Sequence, residues 1–86
     1  MKLTVFLMTT LISTSVFAGH ECTNEPKEKW KDAKAFEEQL KKEYKIKVFK
    51  VTKGNCYEIY GWNKAGKKIE VYFNPITGEK VKEEIK

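Results

Sequence analysis

The sequence of 86 residues contains no arginine, and all 17 of its basic side chains are lysine. Bidentate recognition of phosphate and guanine favours the planar arginine fork, so its absence argues against a nucleic-acid reader. Asp32 is the sole aspartate and His20 the sole histidine. Serine occurs only at Ser13 and Ser15, within an apolar leader. The rest of the chain has a histidine in an N-terminal tail and two cysteines expected to bond to each other. That leaves no nucleophile–base pair, and the chain is read as non-enzymatic. Also missing is an apolar run of the roughly 20 residues that a membrane-spanning helix requires.

What the chain does have begins with that leader. Met1-Lys2 gives a short positive start, Leu3 to Ile12 an apolar stretch, and Val16-Phe17-Ala18 an ending with small or medium side chains at Val16 and Ala18 before Gly19. This is the layout of a secretory signal peptide over residues 1–18, followed by a tail over 19–25 and a domain over 26–86. The expected location is periplasmic or extracellular, with no stable membrane insertion after cleavage. Lipid attachment reads poorly because Glu21, not a small residue, precedes Cys22. In an oxidising compartment Cys22 and Cys56 are expected to form a disulfide. Closing that loop is worth roughly 3–4 kcal/mol in the chain-entropy model. Gly19-His20-Glu21-Cys22 would suit copper only with a free thiol, so no metal or cofactor is expected.

Between Asn24 and Tyr44 the apolar residues Trp30, Ala33, Phe36, Leu40 and Tyr44 fall on one stripe of an amphipathic helix. Its start is open between Pro26 in a first turn and Asp32 as a cap. Glu37 and Glu38 stand three and four residues before Lys41 and Lys42, suited to pair with them. Four strand-like runs follow: Lys45–Thr52, with a slip in alternation between Val48 and Phe49, then Cys56–Trp62, Lys67–Phe73 and Glu79–Ile85. The links Lys53-Gly54-Asn55, Asn63-Lys64-Ala65-Gly66 and Asn74-Pro75-Ile76-Thr77-Gly78 read as turns. The expected fold class is α+β, one N-terminal helix packed on a four-stranded antiparallel β-meander in two layers. The covered sheet face should carry Ile46, Val48, Tyr57, Ile59, Ile69, Val71, Phe73 and Val81.

Tyr44 before the first strand, Tyr57-Glu58-Ile59, Gly66, Glu70-Val71-Tyr72 and the run Asn74-Pro75-Ile76-Thr77-Gly78-Glu79-Lys80-Val81 together resemble a PepSY domain of the small secreted type. The resemblance covers Trp30 to Val81. This chain has Glu43 where the family often has glycine, and Asn74 where it has aspartate before the proline. The resemblance implies a regulator or inhibitor of an extracytoplasmic peptidase and brings no catalytic residues. Locally, Asn74, Pro75, Thr77 and Gly78 form a structural turn motif: proline fixes one backbone angle, glycine permits a positive one, and threonine bonds the turn backbone.

Alternation turns Glu58, Tyr60, Trp62, Glu70 and Tyr72, with Phe49 or Val51, away from the helix. With one helix covering one face, these aromatics should stay partly exposed as a partner-binding face for another protein. Homodimerisation through that face or an open edge is a variant. Glu58 and Glu70 could in principle act as an acid–base pair. The favoured expectation is that lysines such as Lys47 or Lys68 neutralise them on a wet surface. The competing class is a small-ligand or metal-binding envelope protein using the groove between helix and sheet or the His20 tail. Nucleic acid is not an expected partner, since the lysines are interspersed with glutamates despite a pI near 9.2.

Overall fold

Asp32 starts the one α-helix found among residues 21–86, the part of the chain that the computed structural model describes. Its carboxylate Oδ2 accepts a hydrogen bond from the Ala35 amide at 2.9 Å, satisfying an otherwise orphaned first-turn donor. The helix α1 spans only Ala33–Leu40 and buries Phe36 and Leu40. Upstream lie an irregular stretch and a single 3-10 turn over Lys27–Lys29, with Trp30 in an extended conformation. The expectation of an N-terminal helix running from about residue 26 or 32 to Tyr44 is therefore corrected. The helix is short, it is preceded by a 3-10 turn, and the α+β description fits loosely. The signal peptide, Gly19 and His20 lie outside the described residues.

The apolar stripe misled about length for a physical reason. Trp30 and Tyr44 do reach the same core as Phe36, but from the flanking turns. Apolar spacing records which residues reach a core but does not by itself show that the backbone between them is helical. After Leu40 the backbone closes a final turn, in which the Glu43 and Tyr44 amides both donate to the Leu40 carbonyl at 2.9 Å. Of the expected ion pairs along the helix, Lys41 meets Glu38 at 3.3 Å.

Four strands follow, β1 (Lys45–Val51), β2 (Tyr57–Trp62), β3 (Lys68–Phe73) and β4 (Lys80–Ile85). They form one antiparallel sheet in the order β1-β2-β3-β4. The register of β1 on β2 shifts between Ile46 and Val48, so Val48 pairs with Tyr60 and Phe49 with Ile59. Paired residues of antiparallel strands project to the same side. This corrects the expected phase of β1. Phe49 joins the helix-side core, its ring 5.1 Å from that of Tyr57, while Val48 turns to the other face and is 40% exposed. Val81 stays 41% exposed and does not join the core.

The core comprises Phe36, Leu40, Tyr44, Tyr57, Ile59, Ile69, Val71 and Phe73, with Trp30, Ile46 and Phe49 packed against it. Phe36 stacks on Tyr57 at 5.6 Å and meets Phe73 edge-on at 5.4 Å. Tyr57 also donates its hydroxyl to the Lys31 carbonyl at 2.6 Å, tying the helix entry to the sheet. Gly61 permits a close approach: a Cβ there would lie 2.0 Å from the Lys45 carbonyl oxygen.

Cys22 and Cys56 are disulfide-bonded, with Cα atoms 5.1 Å apart. The Cys22 amide donates to Gly54 O at 2.8 Å, and Asn55 Nδ2 donates to Thr23 O at 3.1 Å. Asn74 anchors the same corner, its Nδ2 donating to Cys22 O at 3.2 Å while Oδ1 accepts from the Ile76 and Thr77 amides. Gly78 closes this last turn at a positive φ of 81°, its amide donating to Asn74 O at 2.7 Å. The Thr77 hydroxyl accepts from the Glu79 amide at 3.1 Å.

Candidate functional site

The helix and the segment before it pack on one side of the sheet, which leaves the opposite side as its outer face. The two central strands supply that face by simple alternation: Glu58, Tyr60 and Trp62 from β2 and Lys68, Glu70 and Tyr72 from β3. Cross-strand pairing sets Glu58 beside Tyr72, Tyr60 beside Glu70 and Trp62 beside Lys68. β1 adds Lys50 beside Glu58 and Val48 beside Tyr60. Five of the six residues read from the sequence as a partner-binding face are thus brought together. Phe49 is not among them, because the β1 shift places it in the core.

The two carboxylates depart most from the sequence expectation. Glu58 is 2% and Glu70 9% exposed, so neither stands on a wet surface. Their cationic neighbours are Lys50, 3.8 Å from Glu58, and Lys86, 3.0 Å from Glu70, rather than Lys47 or Lys68. The Tyr72 hydroxyl donates to Glu70 Oε2 at 2.9 Å. Glu58 Oε2 is buried without a hydrogen-bond partner, which is costly for an ionised carboxylate.

Burial is the main force raising the Glu58 carboxyl above the ordinary range, and the Glu70 carboxyl adds to it. Glu70 is held down at about 2, first by hydrogen bonding with Glu58 and then by Lys86, Tyr72 and Tyr60, against the opposing effect of burial. Bonding to Glu70, followed by burial, pushes Tyr60 up to about 12. Tyr72 is raised as well, by burial and then by Glu70. The two shifts run in opposite directions, so as pH rises Glu70 gives up its proton before Glu58 does. Alternation alone could place these carboxylates on one face. That their neighbours' side chains would bury them was not visible in the alternation.

Toward the end of the sheet where Trp62 lies, the face hollows into a shallow groove of about 680 Å³. Lys47, Lys50, Tyr60, Trp62, Lys68 and Lys86 line it. Tyr60 and Trp62 are half-buried, and two lysine side chains lie over their rings, Lys50 at 5.4 Å from the Tyr60 centroid and Lys45 at 5.8 Å from that of Trp62. Among the described residues no group of three histidine, cysteine or acidic side chains is arranged to hold a metal ion. No helix among them is long and apolar enough to cross a membrane. The site thus offers rings, ammonium groups and a pair of buried carboxyl groups.

The family model described as peptidase propeptide and YPEB domain matches residues 2–84, nearly the whole chain. The chain belongs to the PepSY family. PepSY domains are modules of the propeptide or inhibitor type, generally non-catalytic, and occur in exported proteins. The disulfide of this PepSY domain fits such a setting. Comparison with curated proteins and with solved structures returns no match.

Proposed function

We propose that this PepSY domain is an exported, non-enzymatic protein-binding module that regulates or inhibits an extracytoplasmic peptidase, docking through the outer face of its sheet. The observation that carries this reading is the partial exposure of Tyr60 and Trp62 in a lysine-rimmed groove on the side away from the helix. Tyrosine and tryptophan supply large contact area at low entropic cost, which is why they dominate the energetics of protein contacts. Family membership supports the peptidase as the class of partner.

The test is residual hydrolysis of casein by the exported proteolytic fraction of the producing cells after addition of the purified, oxidised protein. Inhibition is expected, and the combined Tyr60→Ala and Trp62→Ala variant should lose it with its thermal midpoint little changed. An absence of inhibition, or a loss that merely tracks unfolding of the variant, would reject the reading.

A further inference from the structure

The charge of this chain is divided unevenly between its layers. Residues 21–44 carry six lysines against seven acids, whereas residues 45–86 carry ten lysines against five. The helix layer is thus nearly balanced and the sheet layer strongly cationic. On the outer face the acids already have lysine partners within 4 Å: Glu58 has Lys50, Glu70 has Lys86, and Glu84 has Lys82 and Lys86. Lys47 and Lys68 are exposed on the rim of the groove and meet no carboxylate among the described residues within ion-pair distance. Between them lie the rings of Tyr60 and Trp62.

We propose that this groove takes an acidic segment of the partner protein, a short stretch of chain with carboxylates on either side of an aromatic or aliphatic side chain. The proposal rests on the docking role given above and names the chemistry of what docks. The apolar side chain would lie on Tyr60 and Trp62, where burial supplies affinity. The carboxylates would meet Lys47 and Lys68, which fix orientation and speed encounter more than they tighten the complex. Long lysine stems can lie along the rings while keeping their ammonium groups in water, so the rim adjusts at little desolvation cost. A second copy is a poorer occupant by edge pairing, because β1 presents Lys45, Lys47 and Lys50 along an open edge, a common device against strand-to-strand association.

The experiment is calorimetric titration with an acetylated, amidated octapeptide, Glu-Glu-Phe-Glu-Glu-Leu-Glu-Glu, and its counterpart with lysine for every glutamate. Amide chemical-shift mapping runs alongside. The acidic peptide should bind about tenfold or more tightly than the basic one, and weaken several-fold as salt rises from about 50 to about 300 mM. Shifts should centre on Lys47, Tyr60, Trp62 and Lys68. The Lys47→Glu and Lys68→Glu double variant should abolish binding. The Lys47→Gln and Lys68→Gln pair, which removes charge without reversing it, should fall between. An unchanged thermal midpoint in the glutamine pair separates charge from folding. Equal affinity for both peptides, shifts mapping elsewhere, or self-association of the chain through this face in sedimentation would overturn the proposal. Failure of the acidic peptide while Tyr60→Ala and Trp62→Ala still relieves inhibition would remove the acidic ligand and leave the docking face. Full inhibition by that double variant would remove the docking face itself.

Discussion

Glu58 and Glu70 occupy diagonal positions on adjoining strands, each opposite the tyrosine of the other's strand, and both are buried. Diagonal neighbours are within reach of long side chains, and a low-dielectric setting makes it costly to ionise both. The pH dependence of stability follows from the opposite directions of the two shifts. Glu70, lowered from 4.5 to about 2, contributes stability that is present above 4.5 and lost as pH falls toward 2. Glu58 is raised above 4.5, so its folded form binds the proton more tightly, and stability falls as pH rises from 4.5 through its folded value. The pair alone therefore gives a maximum near pH 4.5. Glu58→Gln should remove the falling limb, raising the thermal midpoint at pH 8 with little change at pH 4.5. Melting curves across pH 3–9 check this, and an unchanged slope above 4.5 would contradict the raised Glu58 carboxyl.

The disulfide joins residues 34 apart and pins the entry segment to the turn between β1 and β2. Cys22→Ala with Cys56→Ala should lower unfolding free energy by about 3–4 kcal/mol in the chain-entropy model. Urea denaturation of the variant and of the oxidised protein measures the difference. Intact mass with and without alkylation should show no free thiol before reduction.

Gly61→Ala places a methyl group 2.0 Å from a backbone oxygen that cannot move without shifting the β1–β2 pairing. Overpacking of this kind costs about 1–3 kcal/mol. The same urea series should place this variant well below the parent, with amide shifts concentrated around Lys45 and Ile46.

Asn74 does what an aspartate could not, because its Nδ2 donates to Cys22 O. Asn74→Asp keeps the acceptor for Ile76 and Thr77 and loses that one donor, an expected loss of about 1 kcal/mol. Asn74→Ala loses all three bonds and should be destabilised further. The departure from the family's aspartate thus has a local reason, since asparagine links the final turn to the disulfide corner.

Much of this was legible in the residues. Turn chemistry at Gly54-Asn55, Asn63 to Gly66 and Asn74 to Gly78 marked the three links between successive strands. Clean alternation in Ile69, Val71 and Phe73 named the inner face of β3. Asp32 was readable as a cap, though not as the point where the helix must begin. The slip near Val48 was visible, but not its position in the pairing, and a one-residue slip exchanges the two faces. That is why Phe49 was placed outside and Val48 inside. Gly61 gave no sign of its close approach, since nothing in a linear pattern measures the distance to Lys45.

By itself, then, the sequence determined the strand order, the turns and the side of β2 and β3 that carries rings and acids, because these follow from local backbone preference and a period of two. It determined the cysteine pair too, because an exported chain with two cysteines has one bridge to form. Only the tertiary structure decided how short the helix is, which residue of β1 fills the core, and that Glu58 and Glu70 are shut away from water. Those outcomes depend on which side chains come to lie over one another across strands, and that is settled by packing in three dimensions.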